Sequence, residues 1–186
     1  MDDTDIALMA RIKEGDLEAY EQLLDRHQRP VFNTAYKFLN DEADAEDITQ
    51  EVFIRVYKAA ATYKPQAKFT TWLYTIVKNL CFNAIRKKQS GRLLSIEDET
   101  VPEMVSPGDD PSEMLSREQL KRRVIRAVNN LPHNLRLAII LQKFHGFSYE
   151  EIAQMLGCSQ NAVKLRVHRA KQYLAEALGT LKEETY

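Results

Sequence analysis

The chain has 186 residues, 44% of them apolar and 28% charged, an ordinary composition for a globular protein. This length suits one ordinary domain or two small ones. No run approaches about 18 consecutive apolar residues, so no segment is expected to insert into or span a bilayer. The 26 basic and 27 acidic residues give a net charge of −1, which taken alone argues against a dedicated DNA-binding protein.

Several classes of protein are disfavoured by the residues present. The acidic first residues do not resemble a secretory signal peptide, and Cys81 and Cys158 lie far apart without a CxxC motif. A reduced, cytoplasmic location is therefore expected, with both cysteines as packing residues. The four histidines are scattered, and no zinc-binding spacing or phosphate-binding glycine loop is present. We expect no enzymatic activity, no metal and no other cofactor.

The first 89 residues carry helical periodicity. Gly15 is predicted to end a first helix, and Asp16 is placed to cap a second. Pro30 is expected in the first turn of a third helix that runs toward Leu39. This part of the chain is therefore predicted to be a bundle of four or five helices.

Two further helices complete the bundle. Ile48, Val52 and Val56 recur every four residues and predict one amphipathic helix. The next helix has an apolar face of six residues. These are Leu73, Ile76, Val77, Leu80, Ala84 and Ile85.

The segment from Ser90 to Ser112 contains three of the six prolines and no sustained periodicity. It is predicted to be a flexible linker. No alternation of β-branched residues bounded by turn residues occurs in the chain, so no sheet is expected. The predicted fold is all-α, with two small helical domains, residues 1–89 and 113–186, joined by an acidic linker, residues 90–112.

The second domain is predicted to contain a helix-turn-helix. Two helices precede it, at residues 113–130 and about 134–144, the latter stopped by Gly146. Ser148 and Glu151 then form a capping-box pattern at the start of a short helix. Gly157 supplies a tight turn, and Ser159 is placed to cap the following helix.

One face of this last helix is apolar, with Val163, Val167, Ala170 and Leu174. The other side is polar and cationic and lacks acids until Glu176, which favours insertion into a DNA major groove over an ordinary solvated face. We predict that the duplex-contacting residues come from this helix and its cap. They are Ser159, Gln160, Asn161, Lys164, Leu165, Arg166, His168 and Arg169.

Charges are grouped into blocks of one sign. Residues 69–96 contain five bases and no acid, and residues 159–173 contain four bases and no acid. Residues 38–54 contain six acids and no base, and residues 97–113 contain seven acids and no base. The near-zero net charge therefore conceals two basic segments suited to nucleic acid.

A second candidate nucleic-acid surface lies at the end of the first domain. Aromatic, amide and cationic side chains lie in a short loop and along one stripe of the helix that follows, a pattern typical of surfaces that hold unstacked bases. The alternative for a lone tryptophan at a helix start is core packing. The candidates are Tyr63, Lys64, Lys68, Phe69, Trp72, Asn79, Asn83 and Arg86.

The motifs DEADAEDITQEVFIRVY, KFTTWLYTIVKN and FSYEEIAQMLGCSQNAVKLRVHRA, in this order, resemble those of bacterial sigma-70 family sigma factors, in particular the extracytoplasmic-function (ECF) group. The resemblance implies a transcription initiation factor that binds core RNA polymerase. It implies that the loop and stripe melt the promoter −10 element and capture its bases, and that the helix-turn-helix reads the −35 element. An anti-sigma factor is a further implied partner.

The resemblance also implies a polymerase-binding helix. The helix that carries Asp47, Gln50, Glu51 and Phe53 matches the segment that docks on the clamp helices of the largest polymerase subunit. An acidic surface there would suit a basic partner; the alternative is an ordinary solvated acidic face. The predicted polymerase-binding residues are Asp44, Asp47, Gln50, Glu51 and Arg55.

Two other functions are compatible with parts of the pattern. A helix-turn-helix regulator would bind duplex DNA without polymerase, and an interaction module would sequester or mimic a transcription factor. The −10-like loop and stripe argue against the first, and the cationic recognition helix argues against the second. Family members often have a glycine-threonine pair and a second arginine where this chain has Asn161-Ala162 and Lys164-Leu165, so the promoter sequence cannot be copied from a relative.

Overall fold

The computed structural model describes residues 3–92 and 113–179. Within these ranges the regular structure is helical, and no strand occurs, as predicted. Most of the predicted linker, residues 93–112, lies outside the described residues, but its first residues belong to a helix that continues to Arg92. The helices are α1 (Asp3–Lys13), α2 (Leu17–Leu39), α3 (Glu42–Ala59), α4 (Phe69–Arg92), α5 (Glu113–Asn129), α6 (His133–Phe144), α7 (Tyr149–Leu156) and α8 (Gln160–Gly179), with a short 3₁₀ turn at Ala60–Thr62.

Side-chain caps fix where the helices of the first bundle begin. The Asp16 carboxylate accepts a hydrogen bond from the Ala19 N–H at 3.1 Å, which confirms its predicted role as the cap of α2. Asp41 caps α3 in the same way, with 3.0 Å to the Asp44 N–H. Between α2 and α3 the chain turns at Asn40, whose φ of 56° lies in the left-handed region.

The prediction that Pro30 opens a separate helix is wrong. Pro30 lies inside α2, which runs without a break from Leu17 to Leu39. Val31 and Thr34 are fully buried just beyond the proline, so packing on the other helices keeps the segment helical despite the hydrogen bond that proline cannot donate.

A buried carboxylate ties α1 to α2. Asp5 is 1% exposed and binds Arg26 Nη1 at 2.6 Å and His27 Nε2 at 2.8 Å. Burial raises the pKa of Asp5, but the hydrogen bonds and charges of His27 and Arg26 lower it by more, so the net pKa lies below its usual value. The ionised carboxylate is therefore the form that stabilises the fold.

The two helical units, which are α1–α4 and α5–α8, pack against each other. Arg136 of α6 is buried and donates from Nη1 to the Phe38 carbonyl at the end of α2, at 2.8 Å. Tyr74 of α4 packs against Phe147, with ring centroids 5.1 Å apart. The buried residues of both units form one continuous apolar cluster, so the units meet through a packed interface in addition to the linker that joins them.

This arrangement explains the burial of Tyr74, which lies beside the predicted apolar face of α4. Leu73 and Val77 of that face are buried as expected. Tyr74 and Cys81 are also buried, and Tyr74 faces the second unit. Burial raises the pKa of the Cys81 thiol to about 12, in keeping with the packing role predicted for it.

Asp5→Asn is expected to reduce the free energy of unfolding at pH 7 by about 1–3 kcal/mol, because Arg26 and His27 lose a charged partner. Since the pKa of Asp5 is lowered in the folded state, its contribution is present above the ordinary Asp pKa of about 3.9 and is lost as the pH falls below it. Urea denaturation at several pH values measures both effects.

Asp25→Asn, at an exposed position of α2, is the control and should change stability by less than about 0.5 kcal/mol. Equal losses in the two variants would contradict the role of Asp5.

Candidate nucleic-acid interface

The helix-turn-helix is built as the sequence predicts. The Ser148 hydroxyl accepts from the Glu151 N–H at 3.2 Å, and the Ser148 N–H donates to Glu151 Oε2 at 2.8 Å. This reciprocal capping box starts α7. Gly157 ends α7 with a φ of 64°, in the left-handed region that favours glycine. Ser159 then caps α8 through 3.2 Å to the Ala162 N–H.

Helix α8 separates its apolar and polar sides. Val163, Val167 and Ala170 are fully buried against the unit. The opposite side is open to solvent and carries seven of the eight predicted duplex-contacting residues. These exposed residues are Ser159, Gln160, Asn161, Lys164, Leu165, His168 and Arg169. The structure thus presents a polar and cationic surface of the kind that enters a major groove.

Arg166 is the exception among the predicted duplex contacts. Its side chain is half-buried, and Nη1 donates to Cys158 Sγ at 3.4 Å. Arg166 lines a cleft between the two helical units together with Asn79 and Arg86 of α4. It points away from the exposed face because its position on α8 lies beside the buried Val163 and Val167.

The loop before α4 is held by an aromatic cluster. The ring centroids of Tyr63 and Trp72 lie 4.9 Å apart, and those of Phe69 and Trp72 lie 5.7 Å apart. Tyr63 and Trp72 are half-buried and keep part of their rings accessible. Phe69, however, is only 2% exposed and also packs against His27.

The prediction that Phe69 contacts bases directly is therefore wrong for this structure. A buried ring offers no free face for stacking, and Phe69 instead supports the rings of Tyr63 and Trp72. Its place as the first residue of α4, facing the bundle core, accounts for its burial.

The remaining predicted contacts on α4 lie on one stripe beyond Trp72. Asn79, Asn83 and Arg86 are exposed, and Arg86 Nη2 donates to the Asn83 side-chain oxygen. In the loop, Lys64 is exposed. Amides and a cation beside a half-exposed tryptophan form a surface on which single-stranded bases and phosphates can be held.

Lys68 already has a partner. Its Nζ lies 2.8 Å from Glu151 Oε1 in α7 of the other unit. The hydrogen bond and charge of Glu151 raise the pKa of Lys68. The acid that caps the helix-turn-helix therefore also neutralises a cation of the loop.

The predicted polymerase-binding residues lie along α3. Asp47 and Gln50 are exposed, and Glu51 pairs with Arg55 at 2.7 Å. Asp44 instead binds Lys88 near the end of α4. Four of the five predicted residues thus share an accessible surface, while the Asp44 carboxylate also helps to hold α4 in place.

Sequence reasoning missed an apolar extension of this surface. Leu17, Ile54 and Tyr57 are exposed by 62%, 44% and 46% and line a shallow depression with Tyr20 and Lys58. The signal was present in the sequence, because Ile54 and Tyr57 fall outside the buried stripe of α3 although they are large and apolar.

Residues 3–92 and 113–179 contain no cluster of three or more His, Cys, Asp or Glu side chains able to hold a metal ion. None of the helices in these ranges combines the length and apolar character needed to cross a bilayer.

Comparison with known families and proteins finds similarity over both helical units. The family model for Sigma-70 region 2 matches residues 23–91, and the model for Sigma-70, region 4 matches residues 121–174. The ECF RNA polymerase sigma-E factor of Escherichia coli K12 is 32% identical over 175 residues, 91% of this chain and 91% of that protein. The RNA polymerase sigma-H factor of Pseudomonas aeruginosa is 29% identical over an aligned length of 188 residues, which covers 97% of this chain and 96% of that protein.

Two solved structures are similar over most of the chain. CnrH, solved in complex with the cytosolic domain of CnrY, gives a TM-score of 0.71 at 26% identity and covers 95% of this chain and 98% of its own. RpoE of Bartonella quintana, solved in complex with the anti-sigma factor NepR, gives a TM-score of 0.70 at 26% identity and covers 86% of this chain and 96% of its own.

Proposed function

Because the chain belongs to the ECF RNA polymerase sigma factors, we propose that its two helical units divide promoter recognition between them. Membership of this family makes it a factor that directs core RNA polymerase to promoters, and not a regulator that acts on DNA without polymerase. Residues 1–89 bind polymerase and open the −10 element, and residues 113–186 read the −35 element. The observation that carries the proposal is the pairing of an exposed cationic face on α8 with an exposed amide and aromatic stripe on α4.

Helix α8 reads the −35 element as duplex. Lys164 and Arg169 can reach guanine acceptors or phosphates, Asn161 an adenine edge, and Leu165 a thymine methyl group. All four side chains are exposed, and the capping box holds the helix-turn-helix in shape before DNA arrives.

Helix α4 and its preceding loop take the −10 element as single strands. Opening a duplex costs a few kcal/mol for each unstacked base, whereas stacking on an aromatic ring returns about 1–3 kcal/mol per base. Tyr63 and Trp72 supply the rings, and Asn79, Asn83 and Arg86 supply hydrogen bonds and charge along the same helix.

Helix α3 docks on the clamp helices of the largest polymerase subunit. Asp47, Gln50 and Glu51 provide the acidic and amide groups, and charge complementarity with a basic partner speeds and orients association. Ile54 and Tyr57 extend this surface with apolar area that desolvates on binding. The chain acts in the cytoplasm, where polymerase and promoters are, and performs no catalysis itself.

An anti-sigma factor is proposed as a further partner, since the solved relative RpoE was captured with one. An apolar groove between the units supports this. Its floor and rim include Tyr36, Lys37, Lys121, Val124, Ile125 and Phe144. An amphipathic helix with acidic flanks fits such a groove, because apolar side chains would cover the floor while the acids meet Lys37 and Lys121.

Arg169→Ala is expected to weaken binding to a −35 duplex by about 1–3 kcal/mol, because a cation is lost from the groove-facing side of α8. Fluorescence anisotropy with a labelled duplex measures the affinity, and run-off transcription with core polymerase measures the promoter-specific product. Arg122→Ala, which removes an exposed arginine of α5, should leave both unchanged. Equal losses would contradict the role of α8.

Asn79→Ala is expected to impair promoter melting while leaving polymerase affinity unchanged, because Asn79 lies on α4 and not on the α3 surface. Permanganate reactivity of unpaired thymines at the −10 element should fall about 5-fold or more, the equivalent of one lost hydrogen bond to a base. Gln22→Ala, an amide truncation on the exposed side of α2, is the control. An equal loss of polymerase affinity in Asn79→Ala would refute its proposed role.

Val124→Asp is expected to lower binding to the host's anti-sigma factor by at least about tenfold, because it places an acid among apolar groups and repels acidic flanks. Co-purification of the two proteins, followed by titration calorimetry, measures the loss. Ala175→Asp introduces the same charge on exposed α8 and should have no effect. Binding of Val124→Asp at the wild-type level would contradict occupancy of the groove.

A further inference from the structure

Helix α1 has no part in the function proposed above, although it lies next to the loop before α4. The match to Sigma-70 region 2 begins at residue 23, beyond the end of α1. Met9 and Ile12 are buried, and α1 contacts both α2 and the 3₁₀ turn Ala60–Thr62. Tyr63 follows this turn directly, and its N–H donates to the Ala60 carbonyl at 3.4 Å. Helix α1 therefore supports the backbone at the start of the loop.

A series of ring contacts connects α2 to the two accessible rings of this loop. The His27 centroid lies 5.3 Å from that of Phe69. The Phe69 centroid lies 5.7 Å from that of Trp72 and 6.2 Å from that of Tyr63. His27 and Phe69 are buried, whereas Tyr63 and Trp72 are only half-buried. The two buried rings, which we call the ring support (His27 and Phe69), thus lie beneath the two accessible ones.

Asp5 of α1 fixes the first ring of the support. Its Oδ2 lies 2.8 Å from His27 Nε2, and its Oδ1 lies 2.6 Å from Arg26 Nη1. Rotation of the His27 ring would break the first contact, and Arg26 holds the carboxylate so that it cannot follow. An imidazole without this partner could adopt other rotamers and leave the space beside Phe69.

The charge of Asp5 also acts on the loop. The pKa of Tyr63 is raised, first by burial and then by the negative charge of Asp5. Within residues 3–92 and 113–179, the buried Tyr63 hydroxyl has no hydrogen-bond partner, so Tyr63 offers its ring to a base and not its hydroxyl. Asp5 therefore lies close to both ends of the ring series, at His27 and at Tyr63.

Stacking depends on how firmly a ring is held before a base arrives. A mobile ring loses conformational freedom when a base stacks on it, and this entropy cost lowers the affinity. Opening the −10 duplex is itself unfavourable and must be offset by such stacking. A loosely held Trp72 would therefore favour the closed duplex even if every residue that contacts DNA were present.

We propose that α1 takes part in base capture: the Asp5 carboxylate fixes the His27 ring, and the ring support holds Tyr63 and Trp72 in place for stacking. Asp5 and His27 are positioning residues, because both are buried. This inference rests on the proposed function of the loop and α4. It makes −10 affinity dependent on a helix outside both proposed contact surfaces.

The test compares two substitutions of Asp5 in the full chain, assembled with core polymerase. Asp5→Ala removes the partner of His27 and should weaken binding of a labelled −10 single strand at least about fivefold, less than the loss of one stacked base. Asp5→Asn keeps an oxygen that can accept from His27 and should recover most of the affinity. Fluorescence anisotropy measures binding of an oligonucleotide from a promoter that the holoenzyme transcribes.

Ile12→Ala separates positioning from loss of stability. Ile12 is buried in α1 about two helical turns after Asp5, so its truncation weakens the packing of α1 without removing the partner of His27. This variant should bind the −10 strand as the wild type does. All three variants should keep wild-type affinity for a −35 duplex and for core polymerase. Equal losses of −10 affinity in Ile12→Ala and Asp5→Ala would overturn the inference.

The emission of Trp72 gives a second readout, because it is the one tryptophan in the sequence. Loss of the ring support should expose Trp72 to water, so the emission of free Asp5→Ala should shift to longer wavelength and become more sensitive to acrylamide quenching. Asp5→Asn and Ile12→Ala should match the wild type. An unchanged emission spectrum in Asp5→Ala would contradict the proposed series of contacts.

If Asp5→Ala does not fold, His27→Gln replaces it. Glutamine can still donate to Asp5 but lacks the ring that contacts Phe69, so −10 affinity should again fall and the Trp72 emission should again shift. Wild-type binding and emission in His27→Gln would overturn the inference.

Trp72→Ala keeps this inference distinct from the proposed function. If Trp72→Ala weakens −10 binding but Asp5→Ala and His27→Gln do not, the loop holds bases without help from α1 and the inference alone fails. If Trp72→Ala binds the −10 strand as the wild type does, the proposed role of the aromatic cluster fails and the inference fails with it.

Discussion

Three faces of helix α4 have different roles, and the arrangement of the two helical units depends on all three. Helix α4 buries Leu73 and Val77 in the first bundle, and it places Tyr74 against Phe147 of the second unit. Its remaining stripe carries Asn79 and Arg86, exposed but directed into the cleft between the units. Because these faces are adjacent on α4, the packing of the second unit against Tyr74 places side chains of that unit next to the stripe proposed to hold DNA.

The charge distribution reflects the same arrangement. Blocks of opposite sign compensate each other across helix contacts, as Lys88 does with Asp41 and Lys68 with Glu151. The net charge of −1 thus conceals local pairing of opposite charges, and separating the units would uncover Lys68 beside the basic part of α4. The groove rimmed by Lys37 and Lys121 also spans both units. A partner helix that binds in this groove would therefore favour the arrangement in which the two units are packed together.

Local chemistry could be predicted from the sequence wherever a signal lies within a few residues. The capping box at Ser148 and the turn at Gly157 are of this kind, and both occur as expected. The prediction that Pro30 opens a separate helix was wrong because its neighbours are buried against other helices. This packing outweighs the local helix-breaking preference of proline. The burial of Phe69 and the inward turn of Arg166 depend on contacts between segments far apart in the chain, which periodicity alone does not encode.

The distance between the units in solution tests the central claim most directly. Glu21 of α2 and Lys171 of α8 are both exposed, and Glu21→Cys and Lys171→Cys would each carry a spin label. Cys158 would be replaced by alanine so that it is not labelled. Cys81 should not react, because it is buried and the pKa of its thiol is raised to about 12. Pulsed electron resonance should give one narrow, short distance for the free chain and a longer one in the initiation complex with core polymerase and promoter DNA. A broad distribution in the free chain, or the same short distance in the complex, would contradict the account.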